Sequence, residues 1–301
     1  MKFDIRTRQF GRLFSNVGEE GAPLSIGERR QRRQALFAEP LWRRIWRLAG
    51  MAGAAFRTMG LRDIFGACDF LLRERAIAVA GLPDPAAACS HPEGLCGLVA
   101  DQTPEGLMEG YARGLHAAAP FGLLAWWSPA LRTVMTPAES AMPENARALI
   151  QNDKFKVVLD RDFDAVVKAC GARQRLSPRI MHLYAGLHDM GFAHSVEVRS
   201  AFGRLVAGAY GVALGRVFIT LGVFGETPDQ QALALTTLNG QLARLNFALH
   251  EVIGLTTAPH MGFTPMKRDT YFETLIANSG YGRLGRWQLA PASSAMQLRA
   301  A

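Results

Sequence analysis

The sequence lacks the features that mark membrane-spanning and secreted proteins. No apolar run approaches the ~18 residues that a membrane-spanning helix needs. The first twenty residues contain no continuous apolar stretch like that of a cleaved secretory signal. Four cysteines in 301 residues are too few for a disulfide framework. These absences favour a cytoplasmic protein with reduced thiols.

Motifs for metals and cofactors are also scarce. Cys89, His91 and Cys96 lie close together, but no second ligand pair follows at zinc-site spacing, so structural thiols are the preferred interpretation. Gly222 and Gly225 make a short and weak match to a glycine-rich pyrophosphate loop. We therefore expect no metal and no cofactor.

The composition is that of a folded protein with a sizeable core. Hydrophobic residues make up 49% of the chain and charged residues 20%. No internal repeat occurs. The chain divides into a helical basic N-terminal extension (1–90), a small α/β domain (91–170) and a larger α/β domain with a C-terminal tail (171–301).

The positive charge is concentrated in the N-terminal extension. The formal net charge is +8, and a basic excess of this kind suggests an anionic partner. One helical face carries the apolar residues Leu41, Trp42, Ile45, Trp46 and Leu48. Three interpretations stay open: a helix docked on its own domain, a contact with RNA, or a contact with an anionic membrane surface. The candidate RNA-binding residues are Arg29, Arg30, Arg32, Arg33, Arg43, Arg44 and Arg47.

The segment 192–218 predicts consecutive strands. Residues 194–198 alternate with period two, which is typical of a half-buried strand. Phe202 and Gly203 supply a turn. Residues 205–213 are nearly all apolar and small, as in a strand buried on both faces.

Several segments, in collinear order, resemble the leucyl/phenylalanyl-tRNA–protein transferase family. The matching segments are Asp101–Gly114 with an N-cap at Thr103, Trp126–Pro129, Phe155–Cys170, Leu187–Gly191 and the strands just described. The resemblance covers about residues 91–275. It implies an α/β fold whose C-terminal domain is like the Gcn5-related N-acetyltransferases. It also implies transfer of Leu or Phe from charged tRNA to the N-terminal amine of a protein.

The resemblance implies an apolar acyl pocket but altered reactive groups. Leu221 stands where the family has a carboxylate, and Ile253 where it has a glutamine. Glu251 is the candidate base, with His250 as the alternative if the register shifts by one residue. The candidate pocket residues are Ala209, Leu221, Val223, Phe224, Leu235, Leu238 and Leu242. A row of leucines at this spacing is also typical of an ordinary core.

The RNA-binding features of the family are depleted in this sequence. The segment Gly114–Ala119 and the region of Arg175 lack the tryptophans that would stack on the terminal adenosine. The helix at Pro143–Asn152 keeps a single arginine, Arg147. We therefore expect a divergent aminoacyltransferase with weak ordinary activity. The alternatives are a non-catalytic binding protein, with its pocket filled by side chains such as Leu221 and Phe224, or an acyltransferase with another donor such as acyl-CoA.

Overall fold

The computed structural model describes residues 26–58, 60–76, 81–119, 123–140, 144, 155–254, 261–279 and 287. The helices are α1 (Ile26–Phe37), α2 (Leu41–Thr58), α3 (Leu61–Ala76), α4 (Pro104–Ala112), α5 (Phe163–Gln174), α6 (Pro178–Asp189), α7 (Pro228–Arg244) and α8 (Arg268–Asn278). The strands are β1 (Leu95–Leu98), β2 (His116–Ala118), β3 (Ala125–Trp127), β4 (Leu131–Met135), β5 (Phe155–Leu159), β6 (Ala193–Ser200), β7 (Leu205–Leu214), β8 (Val217–Gly225), β9 (Leu249–Val252) and β10 (Thr264–Lys267). None of these helices is long and apolar enough to cross a membrane.

The strands form two sheets. The smaller sheet has the order β1-β3-β2, and the larger has the order β10-β4-β9-β8-β7-β6-β5. In the larger sheet β8 and β9 run parallel, and α7 supplies the crossover that a parallel pair requires. This sheet takes β4 and β5 from before residue 170 and its other strands from after it. The division at residues 90 and 170 stays a prediction.

The predicted strands of segment 192–218 are present, but one expectation about their burial was wrong. The turn at Phe202 and Gly203 separates β6 from β7, and β7 is buried along nearly its whole length. β6 is also buried on both faces rather than half-buried. Its polar residue Glu197 is fully buried because the backbone N–H groups of Arg161 and Asp162 donate to its carboxylate. Burial raises the pKa of Glu197.

The larger sheet has a different hydrophobic core on each side. The α5 face is the side covered by α5 and α6, and it receives Val217, Ile219 and Leu221 of β8. The α7 face is the side covered by α7, and it receives Phe218 and Val223. The register between β7 and β8 shifts at Tyr210/Gly211, so β8 changes its alternation there.

Helix starts follow the expected capping chemistry. The Thr103 side chain accepts a hydrogen bond from the Gly106 N–H, with Pro104 at the first position of α4, as predicted. Helix α7 begins with a full capping box between Thr227 and Gln230. This cap fixes where α7 enters across the sheet, next to the end of β8.

Candidate active site

The parallel strands β8 and β9 pair over only part of their length. The pairing runs from Val217 opposite Leu249 to Thr220 opposite Val252. The Ile253 N–H still donates to the Thr220 carbonyl at 3.1 Å. β8 then continues to Gly225, whereas β9 ends at Val252. Beyond Thr220, β8 is therefore no longer paired with β9. A substrate could be bound between the two strands at this point.

Five of the seven predicted pocket residues gather on the α7 face next to this point. Ala209 of β7 lies directly opposite Val223 of β8. The helix above them contributes a row of buried leucines: Leu235, Leu238 and Leu242. Val223 is the partly exposed member, and the other four are buried. The arrangement has the apolar lining that a hydrophobic acyl group requires.

The other two predicted pocket residues lie elsewhere. Leu221 and Phe224 pack in the core of the α5 face, on the opposite side of the sheet from the leucines of α7. The shift in register after Tyr210 explains the separation, because it turns Phe224 away from α7. These two residues can neither line nor fill a pocket on the α7 face.

His250 faces α7 and lies within a buried hydrogen-bond network. Its Nδ1 lies 2.5 Å from Asn239 Oδ1, and its Nε2 lies 2.7 Å from Thr220 Oγ1. Because an amide oxygen only accepts, Nδ1 carries the proton and Nε2 accepts from the Thr220 hydroxyl. Burial lowers the pKa of His250 to about 3, so the ring is neutral at pH 7.

Glu251 faces the other way, into the α5 face. Its neighbours in the sheet are Ile219 and Val134, and its Oε1 lies 3.0 Å from an Nη of Arg132. Both members of this ion pair are almost wholly buried. The position is that of a partner to Arg132, within the sheet and away from the leucines of α7.

Arg132 connects Glu251 to the smaller sheet. Its guanidinium donates to the Gly114 carbonyl, approaches Ser128 Oγ at 3.3 Å and lies 4.8 Å from the centroid of the Tyr271 ring. One Nη lies 3.3 Å from Nδ1 of His116 on β2. Burial and the charge of Arg132 lower the pKa of His116 to about 3. These contacts serve the two terminal nitrogens of Arg132, whereas its Nε and the Oε2 of Glu251 are buried without a hydrogen-bond partner among the described residues.

Sequence reasoning missed the partners Thr220, Asn239 and Arg132. Asn239 directly follows Leu238, and an amide beside a buried leucine row is the one local signal that could have identified it. Arg132 is 119 residues from Glu251 in the chain, and no spacing rule relates the two. Within the described residues, no group of three candidate ligands could hold a metal ion.

The candidate RNA-binding arginines divide into two groups. Arg33 is buried between Asp164 and Asp189, with nitrogen–oxygen distances of 3.0 and 2.8 Å, so it is unavailable to RNA and that prediction was wrong for it. Arg29, Arg32 and Arg47 have carboxylate partners in the chain at 3.6, 2.8 and 2.9 Å. Arg30, Arg43 and Arg44 are exposed and take part in none of these ion pairs, and the paired Arg32 is also exposed. Most of the predicted helix at Pro143–Asn152 lies outside the described residues.

Comparison with known families places this arrangement in context. The model of the leucyl/phenylalanyl-tRNA protein transferase family matches residues 134–276. A leucyl/phenylalanyl-tRNA–protein transferase from Aromatoleum aromaticum is 34% identical over 229 residues, covering 71% of this chain and 95% of the relative. Another from Thiobacillus denitrificans is 35% identical over 196 residues, covering 62% and 85%. The similarity therefore extends over nearly the full length of a relative.

Solved structures add a weak likeness. A GCN5-related N-acetyltransferase from Kribbella flavida is 16% identical with a TM-score of 0.32, covering 46% of this chain and 55% of that one. A score this low supports no argument about function. The mixed sheet with helices on both faces confirms the expected α/β fold.

Proposed function

The chain belongs to the leucyl/phenylalanyl-tRNA–protein transferase family and is an aminoacyltransferase, and from that premise we propose that it moves an apolar aminoacyl group from charged tRNA to the N-terminal amine of a protein. The observation that carries the proposal is the apolar lining on the α7 face. Ala209, Val223 and the α7 leucines lie beside the place where β8 and β9 part. A Leu or Phe side chain could bury its surface there.

His250 is better placed than Glu251 to take up the proton of the attacking amine. His250 lies on the same face as the leucines, and Thr220, its hydrogen-bond partner, is the last β8 residue paired with β9. Glu251 lies on the opposite face, held by the positive charge of Arg132. A carboxylate in such a pair is a poor base because protonation would leave a buried cation alone.

The proposed reaction is aminolysis of an ester. The acceptor amine attacks the aminoacyl carbonyl carbon, a C–N bond forms, and the C–O bond to the terminal ribose breaks. The amine proton passes through the Thr220 hydroxyl to Nε2 of His250 and then to the leaving ribose oxygen. The lowered pKa keeps the His250 ring neutral at rest and also makes it a weak base, so in this scheme the ring passes the proton on and does not hold it.

We expect ordinary leucyl/phenylalanyl transfer to be slow. Leu221 and Ile253 replace a carboxylate and an amide of the family pattern, and Leu221 packs in the α5-face core. Of the candidate arginines, Arg33 is buried and three others are paired within the chain, which leaves Arg30, Arg43 and Arg44 exposed and outside these ion pairs. Fewer phosphate contacts mean weaker binding with a shallower dependence on salt.

The deciding experiment measures transfer of radiolabelled Leu or Phe from charged tRNA to a peptide that begins with Arg. We expect slow transfer that saturates with peptide and stops when the peptide is acetylated at its N-terminus. The matched variant Val223→Asp places a charge in the lining at its partly exposed position, and should abolish transfer while the protein stays folded by circular dichroism. Absence of transfer from either charged tRNA, with a folded wild-type protein, would refute the proposal. Equal transfer by Val223→Asp would place the acyl group elsewhere.

A further inference from the structure

Helix α2 presents its apolar side to solvent, although a helix on the surface of a folded protein ordinarily buries that side. The apolar stripe consists of Leu41, Trp42, Ile45, Trp46 and Leu48, with exposed fractions of 76%, 58%, 67%, 72% and 48%. These positions recur at intervals of three and four residues, so the side chains form one continuous surface. A contiguous apolar patch of this kind marks an interaction site.

The side of α2 that carries Arg47 and Gly50 faces the protein. The Arg47 guanidinium donates two hydrogen bonds to the Glu39 carboxylate, at 2.9 and 3.1 Å, and both groups are largely buried. A Cβ at Gly50 would lie 2.9 Å from the side-chain Nε of Arg175, so the helix backbone lies close to Arg175. The amphipathic helix is therefore docked in the reverse of the usual orientation.

Helix α1, which leads into α2, is fixed to α5 and α6. Arg33 on α1 bridges Asp164 of α5 and Asp189 of α6. Phe37, at the end of α1, is buried and contacts the ring of His182 edge-to-face at 5.1 Å between centroids. Three residues then lead directly into α2. The helix that carries the apolar stripe therefore follows directly after a helix that is attached to the domain.

The charges beside the stripe identify the kind of partner. Arg43 and Arg44 are exposed, and the Arg43 guanidinium lies 5.1 Å from the centroid of the Trp42 ring. Cations that flank an apolar face with tryptophans are typical of a helix lying in the interface of an anionic bilayer. An RNA would satisfy the arginines and could stack on tryptophan, but it offers nothing to the aliphatic Leu41, Ile45 and Leu48.

We propose that α2 binds an anionic membrane surface. The apolar stripe enters the boundary between headgroups and acyl chains, while Arg43 and Arg44 lie at the lipid phosphates. The helix lies in the plane of the surface and does not span the bilayer. This binding is separate from aminoacyl transfer and does not depend on it.

The test uses the full chain and vesicles of two compositions, phosphatidylcholine alone and phosphatidylcholine with phosphatidylglycerol. We expect co-sedimentation with the anionic vesicles and a blue shift of tryptophan emission. The double variant W42A/W46A should lower partitioning at least ~10-fold because it removes two large apolar side chains from the bilayer boundary. R43Q and R44Q should each lower it roughly fivefold, since each removes one charge near the surface.

Two matched controls separate the stripe from general surface properties. Phe202 is 98% exposed but lies at the turn between β6 and β7, so F202A should bind vesicles as the wild type does. Arg30 is exposed on α1, away from the stripe, so R30Q should also bind nearly unchanged. Thermal unfolding should be unaltered in every variant because the changed side chains are exposed.

Four outcomes would overturn the proposal. The first is absence of binding to anionic vesicles, and the second is binding that W42A/W46A leaves intact. The third is a wild-type dimer by light scattering that W42A/W46A dissociates without any vesicle binding, which would assign the stripe to a second copy of the chain. Loss of tRNA binding in W42A/W46A, again without vesicle binding, would assign it to RNA.

Discussion

His250 and Glu251 are adjacent in the sequence but serve opposite faces of the larger sheet. His250 is neutral and joins Thr220 and Asn239 in a network beside the leucines of α7. Glu251 is an acceptor for Arg132 and ties β9 to β4. The first network is uncharged at pH 7, whereas the second holds a buried ion pair. His250 is therefore the candidate for chemistry, and its neighbour Glu251 is the candidate for stability.

The largest effect should be on the rate of transfer, when His250 and Glu251 are each replaced by glutamine. His250→Gln should lower the rate of aminoacyl transfer by ~10²–10⁴-fold, the range for a lost acid or base. Glu251→Gln should leave the rate within severalfold, because on this view Glu251 acts on stability. The measurement is kcat/KM for Leu-tRNA with an Arg-starting peptide, each variant being compared at a temperature where it is folded. The reverse ranking of the two variants would restore Glu251 as the base.

Much of the fold could be predicted from the sequence, because the relevant signals are local. The cap at Thr103, the strand pattern from β6 to β8 and the leucine row of α7 depend on residues within a few positions of one another. The face of each strand was harder to predict, since the register shift at Tyr210 reverses the alternation and moves Phe224 away from α7. A pattern of period two cannot reveal where it will be interrupted.

The partners within the site could not be predicted for a different reason. Arg132 and Glu251 meet only because β4 and β9 become neighbours in the sheet, a pairing between distant parts of the chain. The burial of Arg33 depends likewise on α1 docking against α5 and α6. A cluster of arginines has the same appearance in sequence whether its members meet RNA or the carboxylates of their own domain.

The second-largest effect should be on the stability of the protein. It should come from the ion pair of Glu251 with Arg132 and not from the network of His250. Arg132→Met removes one partner of a buried ion pair and leaves a carboxylate without its cation, which should cost about 3–5 kcal/mol in the free energy of unfolding. The double variant Arg132→Met/Glu251→Leu should recover most of that loss, because two apolar residues replace both charges. Chemical denaturation of the single and double variants measures both values. A single variant as stable as the wild type would show that this ion pair does not stabilise the fold.

The smallest effect should be on the pH dependence of stability. It can be compared for one histidine in the network on each face of the larger sheet. The pKa of His116, beside Arg132, and that of His250 are both lowered to about 3. The unfolded state therefore binds more protons than the folded state between about pH 6.5 and pH 3, so stability falls as the pH falls through that window. Each histidine should contribute about 2 kcal/mol of lost stability between pH 7 and pH 5.

His116→Gln and His250→Gln should each flatten this pH dependence by a similar amount, whatever they do to stability at pH 7. Denaturation of each variant at pH 7, 6 and 5 measures the slope rather than the absolute value. The buried His188, whose pKa is also lowered by burial, contributes to the remaining slope in both variants. Only His250→Gln should also impair transfer. Unchanged slopes in both variants would mean that neither ring is kept neutral by burial, which would contradict the neutral His250 of the proposed mechanism.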